Sequence, residues 1–81
     1  MAITPDLQRV LHAYGIDNIE ETNSEVYTHS ATYGGNPCGL NIQCANRYSY
    51  ICIHAAAPMD NLIAYIALDP KYNLASYNLW P

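Results

Sequence analysis

The sequence contains little positive charge, and this argues against one class of ligand. Only three of its 81 residues are Lys or Arg, against seven Asp or Glu, which gives a formal net charge of −4. Proteins that bind DNA or RNA neutralise phosphate groups with clustered lysines and arginines. We therefore expect no direct binding of nucleic acid.

Long apolar stretches and targeting signals are also missing. The longest uninterrupted apolar run covers residues 62–68, whereas a membrane-spanning helix needs roughly 20 residues. No basic N-terminal segment leads into a signal-peptide core. We therefore expect a cytoplasmic protein without membrane contact. The length and the 51% apolar composition indicate one folded domain, residues 1–81.

The cysteines lack a recognisable arrangement. There are three of them, an odd number, and the spacing of Cys38, Cys44 and Cys52 matches neither paired disulfides nor a C-x-x-C metal motif. Because the chain shows no export signal, we expect these thiols to be reduced.

The first element that the sequence does indicate is a helix from about residue 5 to residue 14. Thr4 suits the N-cap position, and Pro5 suits the first helical position. Gly15 is expected to end the helix. Apolar residues recur at helical spacing between these limits and form one stripe: Leu7, Val10, Leu11 and Tyr14.

After residue 25 the pattern changes to strands separated by turn residues. We predict an α+β protein in which the N-terminal helix packs on a five-stranded antiparallel meander sheet. A second helix over residues 59–68 is the alternative for the fourth strand. The acidic segment 17–25 is predicted as a solvated connector, with a functional acidic patch as its alternative. The strands are expected at residues 26–33, 38–45, 48–55, 62–68 and 73–80.

Strand register can be predicted because a slip of one residue exchanges the two faces of a strand. Pairing Ala45 with Tyr48 separates apolar from polar residues best. We also expect Tyr33 to pair with Cys38 across a loop at 34–37, and Leu68 to pair with Asn73. The inner face, which would receive the helix, then contains Tyr27, His29, Ala31, Leu40, Ile42, Cys44, Ile51, Ile53, Leu62, Ala64, Ile66, Ala75, Tyr77 and Leu79.

The outer face of the predicted sheet is aromatic and neutral. Cys52 is expected beside Tyr65, His54 beside Ile63, and Tyr50 near Ala67. Adjoining apolar and aromatic residues on a surface are typical of a protein interface. The predicted partner-binding residues are Tyr48, Tyr50, Cys52, His54, Tyr65 and Trp80 of this face, together with Glu20 and Glu21 of the acidic segment.

Catalytic and metal sites have weaker support in the sequence. Cys52 and His54 leave the same face of a strand as a candidate thiol–imidazole pair, with Asn41 opposite as a third group. No cation or helix N-terminus is expected nearby to lower the thiol pKa. We predict no catalytic residue, no cofactor and no metal. The potential zinc donors do not converge on one site in this register: His12, His29, His54, Cys38, Cys44 and Cys52.

These features predict a small acidic protein that acts by stoichiometric protein–protein binding and not as an enzyme. Negative charge suits a partner with a basic groove, such as a nucleic-acid-binding protein. An inhibitor of a host defence complex carried by a mobile element, of the anti-CRISPR kind, is one concrete version. The alternatives are a thiol-dependent enzyme or ligand-binding domain centred on Cys52 and His54, and a homodimeric structural module.

Overall fold

The computed structural model describes residues 3–55 and 61–79. The described part contains one helix and six strands, and the sheet order follows the chain order with every neighbouring pair antiparallel. The α+β class and the meander are therefore confirmed, but the sheet has six strands and not five. The elements are α1 (Pro5–Ala13), β1 (Ile16–Glu21), β2 (His29–Tyr33), β3 (Asn36–Ala45), β4 (Tyr48–Ala55), β5 (Leu62–Leu68) and β6 (Leu74–Leu79).

Helix α1 begins and ends close to the predicted residues. The Thr4 hydroxyl accepts a hydrogen bond from the Leu7 amide at 3.1 Å, which satisfies one of the unpaired N–H groups of the first turn. Tyr14 is the C-cap, and Gly15 connects the helix to β1. Leu7 and Leu11 of the predicted stripe are buried. The amphipathic pattern thus positions the helix against the sheet.

Strand β1 occupies most of the segment that was predicted as a connector. Its pairing with β2 shifts by one residue between Asp17 and Glu20, and Asn18 has a positive φ of 54°. This bulge lets Ile16 and Ile19, three residues apart, both pack on the core. The spacing of these two isoleucines does not fit the strand period of two, and the strand was missed for this reason.

The β2–β3 and β3–β4 hairpins both turn through two residues with positive φ, as primed hairpin turns do. The β3–β4 register is confirmed, with Ala45 paired to Tyr48. The predicted four-residue loop of the β2–β3 hairpin is wrong, because Tyr33 pairs with Asn36 across Gly34 and Gly35. A shift of two residues leaves the faces of both strands unchanged.

Residues 62–68 form strand β5 and not a helix. Two register shifts alter its predicted partners, one against His54 of β4 and one at Leu68 against β6. The first places Leu62, and not Ile63, opposite His54, whereas Ile63 packs against the core. The second pairs Leu68 with Leu74, so the expected pairing with Asn73 is wrong by one residue.

The sheet is strongly curved, and α1 lies on its concave face. Neighbouring strands lie about 4.8 Å apart, so β2 and β6 would be about 19 Å apart in a flat sheet. Nevertheless, the hydroxyls of Tyr33 in β2 and Tyr77 in β6 are 3.2 Å apart. Tyr14 at the end of α1 contacts the Tyr77 ring edge-on, with 5.3 Å between the ring centroids. The concave face therefore encloses the core, and the convex face looks away from the helix.

The core contains residues from each of the strands β1 to β5, packed against the helix. Leu40, Ile42, Ile51, Ile53 and Ile66 are all at most 2% exposed. In the described residues, the single helix is too short and too polar to cross a membrane.

Candidate protein-binding surface

The strands of the sheet differ sharply in charge. Strands β2 to β6 contain no Asp, Glu, Lys or Arg among their residues, all of which the structure describes. The only charged strand residues are Asp17, Glu20 and Glu21 of β1. The convex face of the central strands is therefore uncharged, and its chemistry is set by aromatic rings, amides and a thiol.

Three tyrosines lie together at the centre of the convex face. The rings of Tyr48 and Tyr50 stack at a centroid distance of 6.2 Å and an interplanar angle of 18°. Tyr65 on the next strand pairs with Cys52, and Ala67 pairs with Tyr50, as predicted. Tyr48 is exposed, and the other tyrosines are half-buried. We call this set, with Cys52, the tyrosine cluster.

Leu62, the first residue of β5, lies on the same convex face as the tyrosine cluster. Its Cα pairs with His54 of the convex face, and the side chain is 39% exposed. The prediction that Leu62 lies on the inner face is wrong, because the bulge at Ile63 turns Leu62 to the convex face. No local sequence signal marks this bulge.

Tyr27 covers the part of the convex face around Gly39 and His54, at the end where Leu62 also lies. Strand β2 begins only at His29, so Tyr27 is not on the inner face as predicted. A Cβ atom added to Gly39 would lie 2.6 Å from the Tyr27 ring, which shows that the ring lies directly over this glycine. The Tyr27 ring centroid is 5.7 Å from that of His54, and its hydroxyl is 3.5 Å from the Ala55 carbonyl oxygen. Among the described residues, the chain therefore covers its own surface near His54, whereas Tyr48 of the tyrosine cluster is exposed.

The geometry around Cys52 and His54 does not favour thiol chemistry. Burial raises the pKa of the Cys52 thiol, which lowers the thiolate fraction at neutral pH. The Asn41 side-chain amide donates a hydrogen bond to Nε2 of His54 across 3.4 Å. This ring nitrogen therefore accepts its hydrogen bond from an amide and not from a thiol. An activated cysteine needs the opposite arrangement, with a free base or a cation beside the sulfur.

The candidate metal donors are spread over the sheet and helix. Cys38 is buried on the concave face, whereas Cys52 and His54 belong to the convex face and His12 is exposed on α1. In residues 3–55 and 61–79, no three His, Cys, Asp or Glu side chains are grouped as a metal ion would require. No disulfide joins the three cysteines, all of which are described.

The structure separates the acidic residues from the tyrosine cluster. Glu20 pairs with Ser30, and Glu21 pairs with His29, so the two carboxylates leave opposite faces of β1. Strand β1 is an edge strand and lies three strands away from β4. Five of the predicted binding residues are thus brought together, namely Tyr48, Tyr50, Cys52, His54 and Tyr65, whereas Trp80 lies outside the described residues.

A groove of about 580 Å³ lies between α1 and β1, away from the tyrosine cluster. Its two basic side chains each face an acid. Arg9 contacts Asp6 at 2.9 Å, and His12 contacts Asp17. Because Arg9 and His12 each already contact a neighbouring carboxylate at the exposed surface, the groove offers no unpartnered basic side chain that would select a small ligand.

Comparison of the chain with protein-family models, with curated proteins and with solved structures finds no match. Two properties of the convex face matter most: it is uncharged over three adjacent strands, and its aromatic rings are concentrated around Tyr50.

Proposed function

We propose that this protein acts by stoichiometric binding of another protein through the tyrosine cluster, without catalysing a reaction. The observation that carries this proposal is the cluster of Tyr48, Tyr50 and Tyr65 on the convex face of the central strands, which contain no charged residue. Tyrosine is enriched at protein interfaces because it brings a large contact area and a polar hydroxyl at low entropic cost.

The neutral surroundings of the cluster also favour protein binding. Charged residues are depleted at the centres of interfaces, since a buried charge without a partner loses its hydration. Around the tyrosines, the convex positions of β3 are occupied by Asn41 and Gln43, whose amides can donate and accept hydrogen bonds. A surface of this composition can be buried in an interface without burying a charged group that lacks a partner.

The acidic charge of the chain narrows the class of partner. The net charge is −4, and Glu20 and Glu21 are exposed on the edge strand β1. A partner with a neutral pocket for the tyrosine cluster and basic residues beside it would be attracted by this field. Nucleic-acid-binding proteins have such basic surfaces, and an inhibitor of a host defence complex, of the anti-CRISPR kind, is the version of the proposal that we favour.

Capture from an extract of the source cells tests the proposal. Wild-type protein, a Tyr50→Ser/Tyr65→Ser variant and a Gln8→Ser control would be immobilised, and retained proteins would be quantified by mass spectrometry. Gln8 is exposed on α1, which lies on the other side of the sheet. We expect a near-stoichiometric partner with wild type and control, and about tenfold less with the tyrosine variant. Equal retention by all three proteins would refute the proposed surface.

A second measurement tests the role of the acidic edge. Glu20→Lys/Glu21→Lys should slow association with the captured partner by several-fold at low salt and have little effect at high salt. The dissociation rate should hardly change, because the carboxylates are exposed and distant from the tyrosine cluster. An association rate that does not respond to the substitution would exclude electrostatic steering by β1.

A further inference from the structure

The last strand leaves one edge of the sheet open. Strand β6 pairs with β5 on one side only, and no other described strand lies beyond it. An edge strand presents a row of backbone N–H and C=O groups that can pair with another chain. Natural edge strands usually discourage such pairing with charged residues, proline or bulges. The six residues of β6, Leu-Ala-Ser-Tyr-Asn-Leu, include neither a charge nor a proline.

The apolar side chains of β6 are poorly covered. Leu74, Tyr77 and Leu79 are 46%, 37% and 63% exposed. Their Cα partners on β5, Leu68, Ile66 and Ala64, are fully buried. The core row of the concave face therefore continues into β6 but is only partly covered there, because α1 packs mainly beside β1 at the other edge.

Both edge strands contain a register shift, at Asn18 in β1 and at Ala75 in β6, but only the edge formed by β1 carries charged residues. Strand β1 contains Asp17, Glu20 and Glu21 and is interrupted by the bulge at Asn18. Pairing of β6 with β1 of another copy would meet this bulge and bury carboxylates, and it would also generate an open fibre. Pairing of β6 with itself buries no carboxylate and closes after two copies.

We propose that two copies of this chain pair β6 with β6 in antiparallel orientation about a two-fold axis. The two six-stranded sheets would then form one continuous sheet. Paired residues must share a face, and a register centred on Tyr77 meets this condition for Ser76 and Asn78, which lie beyond the register shift at Ala75. Tyr77 then lies opposite Tyr77 of the other copy, and Leu79 lies opposite Ala75. No charged residue of β6 faces another in this arrangement, since the strand has none.

This dimer is independent of the proposed function. The axis passes through the edge strand β6, and the tyrosine cluster is centred on β4 and β5, so its exposed Tyr48 stays accessible in the dimer. A dimer would present two tyrosine clusters on the same side of the joined sheet, because a two-fold axis perpendicular to a sheet keeps its faces. A divalent binder gains avidity for a partner that is itself repeated or dimeric.

Sedimentation velocity of the full chain over a range of concentrations tests the dimer. We expect a monomer–dimer equilibrium in the micromolar range, as is typical of small interfaces. Leu79→Lys should raise the dissociation constant about tenfold or more, because it adds charge to an uncharged edge. Val26→Lys is the matched control, since Val26 is 55% exposed but lies outside the sheet. Circular dichroism would verify that both variants fold, and Leu74→Lys provides an independent variant on the same edge.

Two results would overturn the proposal. The first is a monomer at all concentrations. The second is a dimer that Leu79→Lys and Leu74→Lys leave intact while Tyr48→Lys disrupts it, which would place the contact on the convex face. Hydrogen exchange gives a second readout of the site: amides of β6 should become more protected as the concentration rises, and amides of β1 should not.

Discussion

The two faces of this sheet are built from the same strands but differ in how far their side chains are buried. Ile51 and Ile53 of β4 point to the concave face and are fully buried, whereas Tyr50 and Cys52 between them point to the convex face and stay partly exposed. Both faces lack charge across β2 to β6. Absence of charge alone therefore does not mark a core; the helix decides which uncharged face becomes the interior.

This difference separates residues that hold the fold from residues that remain for binding. The concave face is filled by branched aliphatic side chains that pack closely. The convex face uses tyrosine, asparagine and glutamine, which tolerate both water and a partner. Substitutions on the two faces should consequently affect different measurements.

The largest predicted effect compares neighbouring residues on opposite faces. Ile51→Ala removes a fully buried side chain and should lower the free energy of unfolding by about 3–4 kcal/mol. Cys52→Ala, one residue later, should lower it by less than about 1 kcal/mol. Urea unfolding followed by circular dichroism measures both values. Similar losses for the two variants would mean that the convex face is as closely packed as the core.

An intermediate effect is expected where the convex face is covered by its own chain. Gly39→Ala places a Cβ atom 2.6 Å from the Tyr27 ring, so the ring must move. We expect a loss of about 1–3 kcal/mol in unfolding free energy. In a Tyr27→Ala background, Gly39→Ala should cost much less, and this double-mutant cycle isolates the contact. Additive losses would show that Tyr27 does not lie on Gly39.

The last effect concerns a thiol on the concave face and appears only at alkaline pH. Burial raises the pKa of Cys38 from its ordinary 9.0 to about 11. The unfolded chain loses this proton first, so the contribution of Cys38 to stability is complete below pH 9.0 and is lost as the pH rises to about 11. Between these pH limits, the midpoint temperature of thermal unfolding should decline less steeply with rising pH for Cys38→Ala than for wild type. Cys44→Ala, at an exposed position, is the control and should follow the wild-type decline.

Much of the fold could be predicted because several local signals agree. The cap at Thr4 and the apolar stripe define α1, and the two-residue turn at 46–47 fixes the register of β3 and β4. The adjacency of Cys52 and Tyr65 follows from the prediction that the meander continues in chain order, which places β5 beside β4. Face assignments survived the wrong β2–β3 loop because that error was an even number of residues.

The parts that could not be predicted all involve register shifts or irregular backbone. The bulge at Asn18 interrupts the alternating pattern of β1, so its acidic sequence was predicted as a connector. The shift near Ile63 places Leu62 on the convex face. Tyr27 fits the alternating pattern of β2 yet lies before the strand begins, where it folds over Gly39. A bulge depends on backbone pairing with a neighbour and leaves no reliable mark on composition.

Site-specific photo-cross-linking tests the central claim most directly. A benzophenone amino acid would replace the exposed Tyr48 of the tyrosine cluster and, in a second protein, the exposed Gln8 of α1. With the captured partner bound, position 48 should form the cross-link and position 8 should not. Cross-linking at position 8 and not at position 48 would contradict the claim that the convex face binds the partner.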